Sequence, residues 1–199
     1  MKTPKDTLFS RFTKKYPLVH MTAALTLLTV VVALALGFVH AQTAPVLEKL
    51  QEETLREAIS QVLPGGVESE SLTAEAWPAM VRSVRAVKDG AGALCGFAVE
   101  TTPSGFAGEV RLLVGVSDEG VVTGVAVLDM KETPNLGTKV RSDEFLKQFI
   151  GKESGMELGS GAEDVHAITG ATISSKAVHE GVKAAVAAVL QYTGGGASE

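Results

Sequence analysis

The sequence predicts an α+β protein: an N-terminal transmembrane helix, then one domain in which a largely antiparallel sheet is packed by helices. Three observations predict it. Leu18 to Val39 is nearly continuous in apolar residues, close to the ~20 that cross a bilayer as a helix. Leu94 to Met130 reads as successive strands separated by turn residues. Near the C-terminus, Val178, Val182, Ala185, Val186 and Val189 recur at the spacing that puts them on one helical face. A chain of 199 residues has room for one such domain besides the anchor.

Residues 1–17 form a basic tail, with Lys2, Lys5, Arg11, Lys14 and Lys15 against Asp6 alone. The positive-inside rule keeps that tail in the cytoplasm and sends the rest outward. Residues 18–40 are the predicted span, interrupted only by His20, Thr22, Thr26, Thr29 and the terminal His40. A cleaved signal peptide ending near His40-Ala41-Gln42 is the alternative. The length of the apolar run and the charged, helical segment after it favour the anchor. Residues 41–66 then read as a juxtamembrane helix opened by Thr43 or Ala44, with Pro45 in its first turn and Leu47, Leu50, Leu55, Ala58, Ile59 and Val62 on its apolar side. Pro64-Gly65-Gly66 stops it.

Residues 67–192 are the predicted domain and 193–199 a frayed tail. From Val67 to Lys88 the pattern is weak: Val81, Val84 and Val87 suit either a strand or a short helix. Trp77 is expected to pack. Strands follow at Leu94–Thr101, Gly108–Val116 and Val121–Met130, with Asp118-Glu119-Gly120 as a hairpin turn. Ser142 to Ile150 reads as a short helix capped by Ser142, and residues 151–164 as a glycine-rich, acidic connector.

Composition excludes several functions. The net charge of −5 combines a basic tail with an acidic remainder, which argues against nucleic-acid binding. The single cysteine, Cys95, allows no intrachain disulfide and reads as buried filler. His20, His40, His166 and His179 are too scattered for a metal site. No nucleophile elbow, paired-histidine zinc motif or Walker loop occurs.

The most informative stretch is His166 to Ser175, where Thr169, Thr172, Ser174 and Ser175 surround Gly170 just before the last helix. The unpaired N–H groups and dipole of a helix start suit a phosphate. Thr172, Ser174 and Ser175 are all candidate N-caps. Lys176 and Lys183 either help neutralise an anion or form the helix's wet face. The helix is expected to end near Tyr192, before Gly194-Gly195-Gly196.

Thr169-Gly170-Ala171-Thr172-Ile173-Ser174 resembles [S/T]-G-A-T-x-[T/S], the flavinylation motif of the FMN-binding domain in the RnfG component of Rnf electron-transport complexes and the NqrC component of the sodium-pumping NADH:quinone reductase. The resemblance implies FMN esterified through its phosphate to Ser174, with Ser175 a second candidate and Thr169, Gly170, Ala171 and Thr172 around it; Lys176, in the first turn beside Ser174, is the better placed of the two lysines to neutralise that phosphate. Serine stands where the family more often has threonine. His166 stands where an aspartate is usual, with Asp164 two residues further back. Lys131 to Lys139 resembles the family's E-T-P-G-L-G loop, with Asn135 in place of glycine, a residue that tolerates the left-handed turn. That likeness implies Glu132 and Thr133 as polar flavin contacts, Leu136 as an apolar wall and Gly137 as a point of close backbone approach. The Leu63-Pro64-Gly65 step and the strands around Gly115 and Gly124 also look like the family.

The implied function is electron transfer by covalently attached FMN within a membrane-bound Rnf-type ion-translocating ferredoxin:NAD oxidoreductase. The chain would be a redox subunit without catalytic residues of its own. Implied partners are the other Rnf-type membrane subunits and a flavin transferase that uses FAD as donor. The implied place is the inner membrane, with a single span, N-terminus inside and FMN domain outside. Two alternatives stay open: an anchored assembly or binding module without flavin, and a free-standing exported flavoprotein.

Overall fold

The structure, a computed structural model, describes residues 17–73, 77–161 and 164–195, so most of the predicted basic tail and the last four residues lie outside it. Helix α1, Pro17–Val62, is continuous where the sequence predicts a span and a separate juxtamembrane helix. Pro45 lies inside it and removes one i→i−4 bond without ending the helix. Met21–Ala44 is long and apolar enough to cross a membrane. Within it the Thr26 hydroxyl donates to Thr22 O at 2.9 Å and the Thr29 hydroxyl to Thr26 O at 2.8 Å. Both polar groups are thereby satisfied inside the helix. The chain divides between Glu52 and Glu53 into two compact units.

The second unit is built on β1 (Glu68–Leu72), β2 (Val81–Lys88), β3 (Leu94–Thr101), β4 (Val110–Val116) and β5 (Val122–Met130), an antiparallel meander in sequence order. Successive side chains of a strand point to opposite faces. Phe97, Val99, Leu112, Val114 and Val116 therefore meet Val178, Val182, Val186 and Val189 of the last helix, while Ala98 and Leu113 meet Ala58, Ile59, Val62 and Leu63 at the end of α1. Both faces of β3 and β4 are covered, which explains their nearly unbroken apolar composition. β1 is an exposed, polar edge strand and carries no such signal.

Gly115 and Gly124 pair across β4 and β5 beneath the last turn of α1. A Cβ on Gly115 would stand 2.5 Å from Val62 O, and one on Gly124 would stand 2.7 Å from Val62 Cα. Thr123 Oγ1 donates to that same Val62 carbonyl at 2.7 Å, satisfying a helix-end acceptor.

The predicted helix from Ser142 to Ile150 is instead a single α-helical turn, α2 (Asp143–Leu146), between 3-10 turns at Gly137–Arg141 and Lys147–Phe149. Ser142 occupies the N-cap position, but its hydroxyl makes no cap bond. The segment is pinned by burial of Phe145 and Phe149, whose rings meet edge-on at 5.4 Å. Helix α3, Thr172–Gly195, runs past Tyr192 into the glycines, and Tyr192 packs with Phe97 at 5.8 Å and Trp77 at 6.3 Å. Cys95 is half-buried, not fully buried.

His179 of α3 is 8% exposed, with Nε2 3.2 Å from Met156 O. Burial, with Lys183 adding to it, holds its pKa below 6.5 despite that hydrogen bond and the nearby Glu180 and Glu157. The unfolded chain therefore binds this proton at a higher pH than the folded one. Stability should fall as pH drops below 6.5 and keep falling to the lower folded value. Urea midpoints measured across that window should show the decline, and His179→Gln should flatten it.

Candidate functional site

The two informative stretches converge. The loop after β5 and the turn before α3 line one cavity of about 270 Å³, with Glu132, Thr133, Leu136 and Gly137 on one side and Gly170, Ala171, Thr172, Ile173 and Ser174 on the other. Phe106, from the β3–β4 hairpin, completes the wall.

At the start of α3, Ala171 N–H donates to Ile168 O at 2.9 Å, and Ala171 O accepts the helix's first bond, from Ser175 N–H at 2.8 Å. Ala171 is therefore the N-cap residue, and none of the three candidate hydroxyl residues caps the helix. The N–H groups of Thr172, Ile173 and Ser174 precede that first bond, which concentrates the positive end of the helix dipole beside the cavity. Ser175 is fully buried, and its Oγ accepts Ile168 N–H at 3.1 Å, tying the preceding turn to the helix. The neighbouring hydroxyl differs: Ser174, although only 2% exposed, lines the cavity.

The facing loop turns at Asn135, whose φ of 62° is the left-handed conformation expected of it. Its N–H is held by Thr138 Oγ1 at 3.0 Å. Glu132 is 9% exposed. Its Oε1 accepts Phe106 N–H at 2.7 Å, while Oε2 is buried without a hydrogen-bond partner among the described residues. Glycine is needed on both sides of this carboxylate: a Cβ on Gly137 would stand 2.6 Å from Oε2, and one on Gly105 would run into Oε1.

Some of the expected residues are not brought to the cavity. Thr169 is exposed in the turn before it. Lys176 pairs with Glu180 at 3.7 Å and faces a different surface, beside Met80 and His179. His166 donates its N–H to Gln148 Oε1 at 2.8 Å, and its ring Nε2 lies 3.0 Å from Gly161 O. Asp164 accepts Gly161 N–H at 2.7 Å, so it serves the connector. Two lining residues stand outside the expected set, Ile173 at the variable position of the motif and Phe106, which strand patterning does not single out. The signal for Phe106 is a lone large apolar residue in the Gly105-Phe106-Ala107-Gly108 turn, where small or polar residues are the rule.

This arrangement combines a helix terminus that favours an anion, apolar walls and one buried acceptor lacking a donor. A phosphorylated aromatic molecule with its own N–H or O–H groups fits that set. Residues 105–187 match the FMN-binding domain family. The chain is 33% identical over 177 residues to the G subunit of the Na(+)-translocating ferredoxin:NAD(+) oxidoreductase complex of Acetobacterium woodii, covering 80% of this chain and 85% of that one. It is also 33% identical over 165 residues to the G subunit of the ion-translocating oxidoreductase complex of Methanosarcina acetivorans, covering 80% and 87%. The crystal structure of the C subunit of the Na(+)-translocating NADH-quinone reductase from Parabacteroides distasonis matches with a TM-score of 0.56 at 18% identity, over 73% of this chain and 94% of that one, which shows a shared fold. With two relatives of this identity matched over most of their length, the chain belongs to the RnfG family of ion-translocating oxidoreductase complex subunits.

Proposed function

We propose that this protein is a membrane-anchored electron carrier whose FMN is esterified to Ser174, working among the other subunits of an Rnf-type ion-translocating ferredoxin:NAD oxidoreductase. The observation that carries the proposal is the single cavity formed by the Glu132–Gly137 loop and the start of α3, with Ser174 in its wall. Attachment falls to an external flavin transferase. Ser174 Oγ bonds to the FMN-side phosphorus of FAD, the pyrophosphate P–O bond breaks, AMP leaves and the hydroxyl proton passes to solvent. Bound FMN supplies the redox chemistry.

The chain's own residues bind, orient and shield. The first-turn N–H groups of α3 receive the phosphate charge, a role that needs no lysine and leaves Lys176 to its pair with Glu180. Leu136 and Ile173 supply apolar wall, and Glu132 Oε2 would accept from a ligand N–H or O–H. At about 270 Å³ the cavity falls just below the range of ligand sites, about 300 Å³ and upward. A cavity of that size would leave part of a bound flavin at the surface, within reach of a redox partner.

The basic tail and the apolar Met21–Ala44 segment support a single span with the N-terminus inside and the FMN domain outside. The test is direct. Protein purified from membranes of a host with a flavin transferase should show flavin absorbance that bleaches with dithionite and returns in air. Colourless protein, from a host that flavinylates a control, would favour the flavin-free assembly module.

A further inference from the structure

The geometry points to Phe106 as the outer wall of the flavin site, stacked on the isoalloxazine ring, with Glu132 as the positioning residue that holds it there. This rests on the FMN reading above.

Phe106 sits at the tip of a tight hairpin closed by Gly105 N–H donating to Gly108 O at 2.8 Å. It is 67% exposed although it is one of the largest apolar side chains of the domain. A lone exposed phenylalanine needs no explanation, but this one borders a cavity whose other rim residues, Leu136 and Ile173, are 49% and 54% exposed. Three large apolar side chains from three separate segments thus ring one opening. At its other end the same cavity offers Ser174 and the positive start of α3. A ligand with an anionic end and a flat apolar end matches both halves, and an offset-stacked phenyl ring suits the flat end.

The hairpin tip is not free to drift. Glu132 Oε1 accepts Phe106 N–H at 2.7 Å, and the residue that holds the turn in this way is only 9% exposed. Gly105 leaves the room that lets this oxygen reach the turn. Glu132 thereby links the loop after β5 to the β3–β4 hairpin and sets where the phenyl ring stands.

The experiment compares iodide quenching of flavin fluorescence in wild type, Phe106→Ala, Glu132→Ala and Glu132→Gln, each full-length and purified from membranes. Phe106 is too exposed for its truncation to disturb the core. Uncovering one of two ring faces should roughly double the quenching constant in Phe106→Ala. Glu132→Ala should match that increase, and Glu132→Gln, which keeps one acceptor oxygen for Phe106 N–H but replaces the other with a donor, should show a smaller one. Amide exchange in full-length Ser174→Ala, which takes no flavin, supplies the structural readout: adding Glu132→Ala should speed exchange of the peptide carrying Phe106. Flavin present with unchanged quenching in Phe106→Ala would overturn this inference alone. Absence of flavin from wild type would overturn the FMN reading and this inference with it.

Discussion

Ser174→Ala is expected to leave a folded protein that carries no covalent FMN, whereas Ser175→Ala is expected to keep the FMN and lose stability. The contrast follows from two adjacent hydroxyls with different surroundings. Ser174 Oγ belongs to a residue of the cavity wall and is the nucleophile proposed for the phosphoester. Ser175 Oγ is engaged by Ile168 N–H at 3.1 Å in a fully buried position. Removing that acceptor strands the part-buried Ile168 N–H, at a cost of about 1 kcal/mol. In-gel flavin fluorescence after denaturation measures the first effect, and urea midpoints measure the second. Fluorescence lost only in Ser175→Ala would move the ester by one residue.

The largest loss of stability is expected at the glycine floor under α1. Gly124→Val places a branched side chain where even a Cβ would stand 2.7 Å from Val62 Cα, a backbone atom that cannot rotate away. The end of α1 must lift, and Thr123 Oγ1 loses its bond to Val62 O. Overpacking of this kind costs about 1–3 kcal/mol, and the lost hydrogen bond adds about 1 kcal/mol. Urea denaturation of the full chain should show the drop, with Thr123→Ala reproducing only the smaller part. These residues line no part of the cavity, so the folded fraction should still take up FMN. A Gly124→Val midpoint equal to wild type would mean that α1 does not close on the sheet as described.

Much of this was legible in the sequence because the signals were local. β3 was bounded by its turns, the hairpin at Asp118-Glu119-Gly120 by its turn chemistry, and the left-handed turn at Asn135 by the one non-glycine residue suited to it. What escaped depended on partners distant in the chain. β1 is polar because it is an edge, so only its pairing with β2 reveals it. Ala171, with no side-chain acceptor, caps α3 because the turn from Ile168 is already tied down by Ser175. Lys176 is adjacent to the motif in sequence, yet helical geometry aims it at Glu180 one turn on. Phe106 joins the site only because Glu132, twenty-six residues later, holds its N–H.

The central claim is a flavin phosphoester on Ser174, and mass spectrometry of the intact wild-type protein, followed by mapping of the modified peptide, tests it most directly. In a host with a working flavin transferase the mass should rise by one FMN less one water, with the adduct on the peptide containing Ser174 and absent from Ser174→Ala. An unmodified wild type beside a flavinylated control, or an adduct on any other residue, would contradict it.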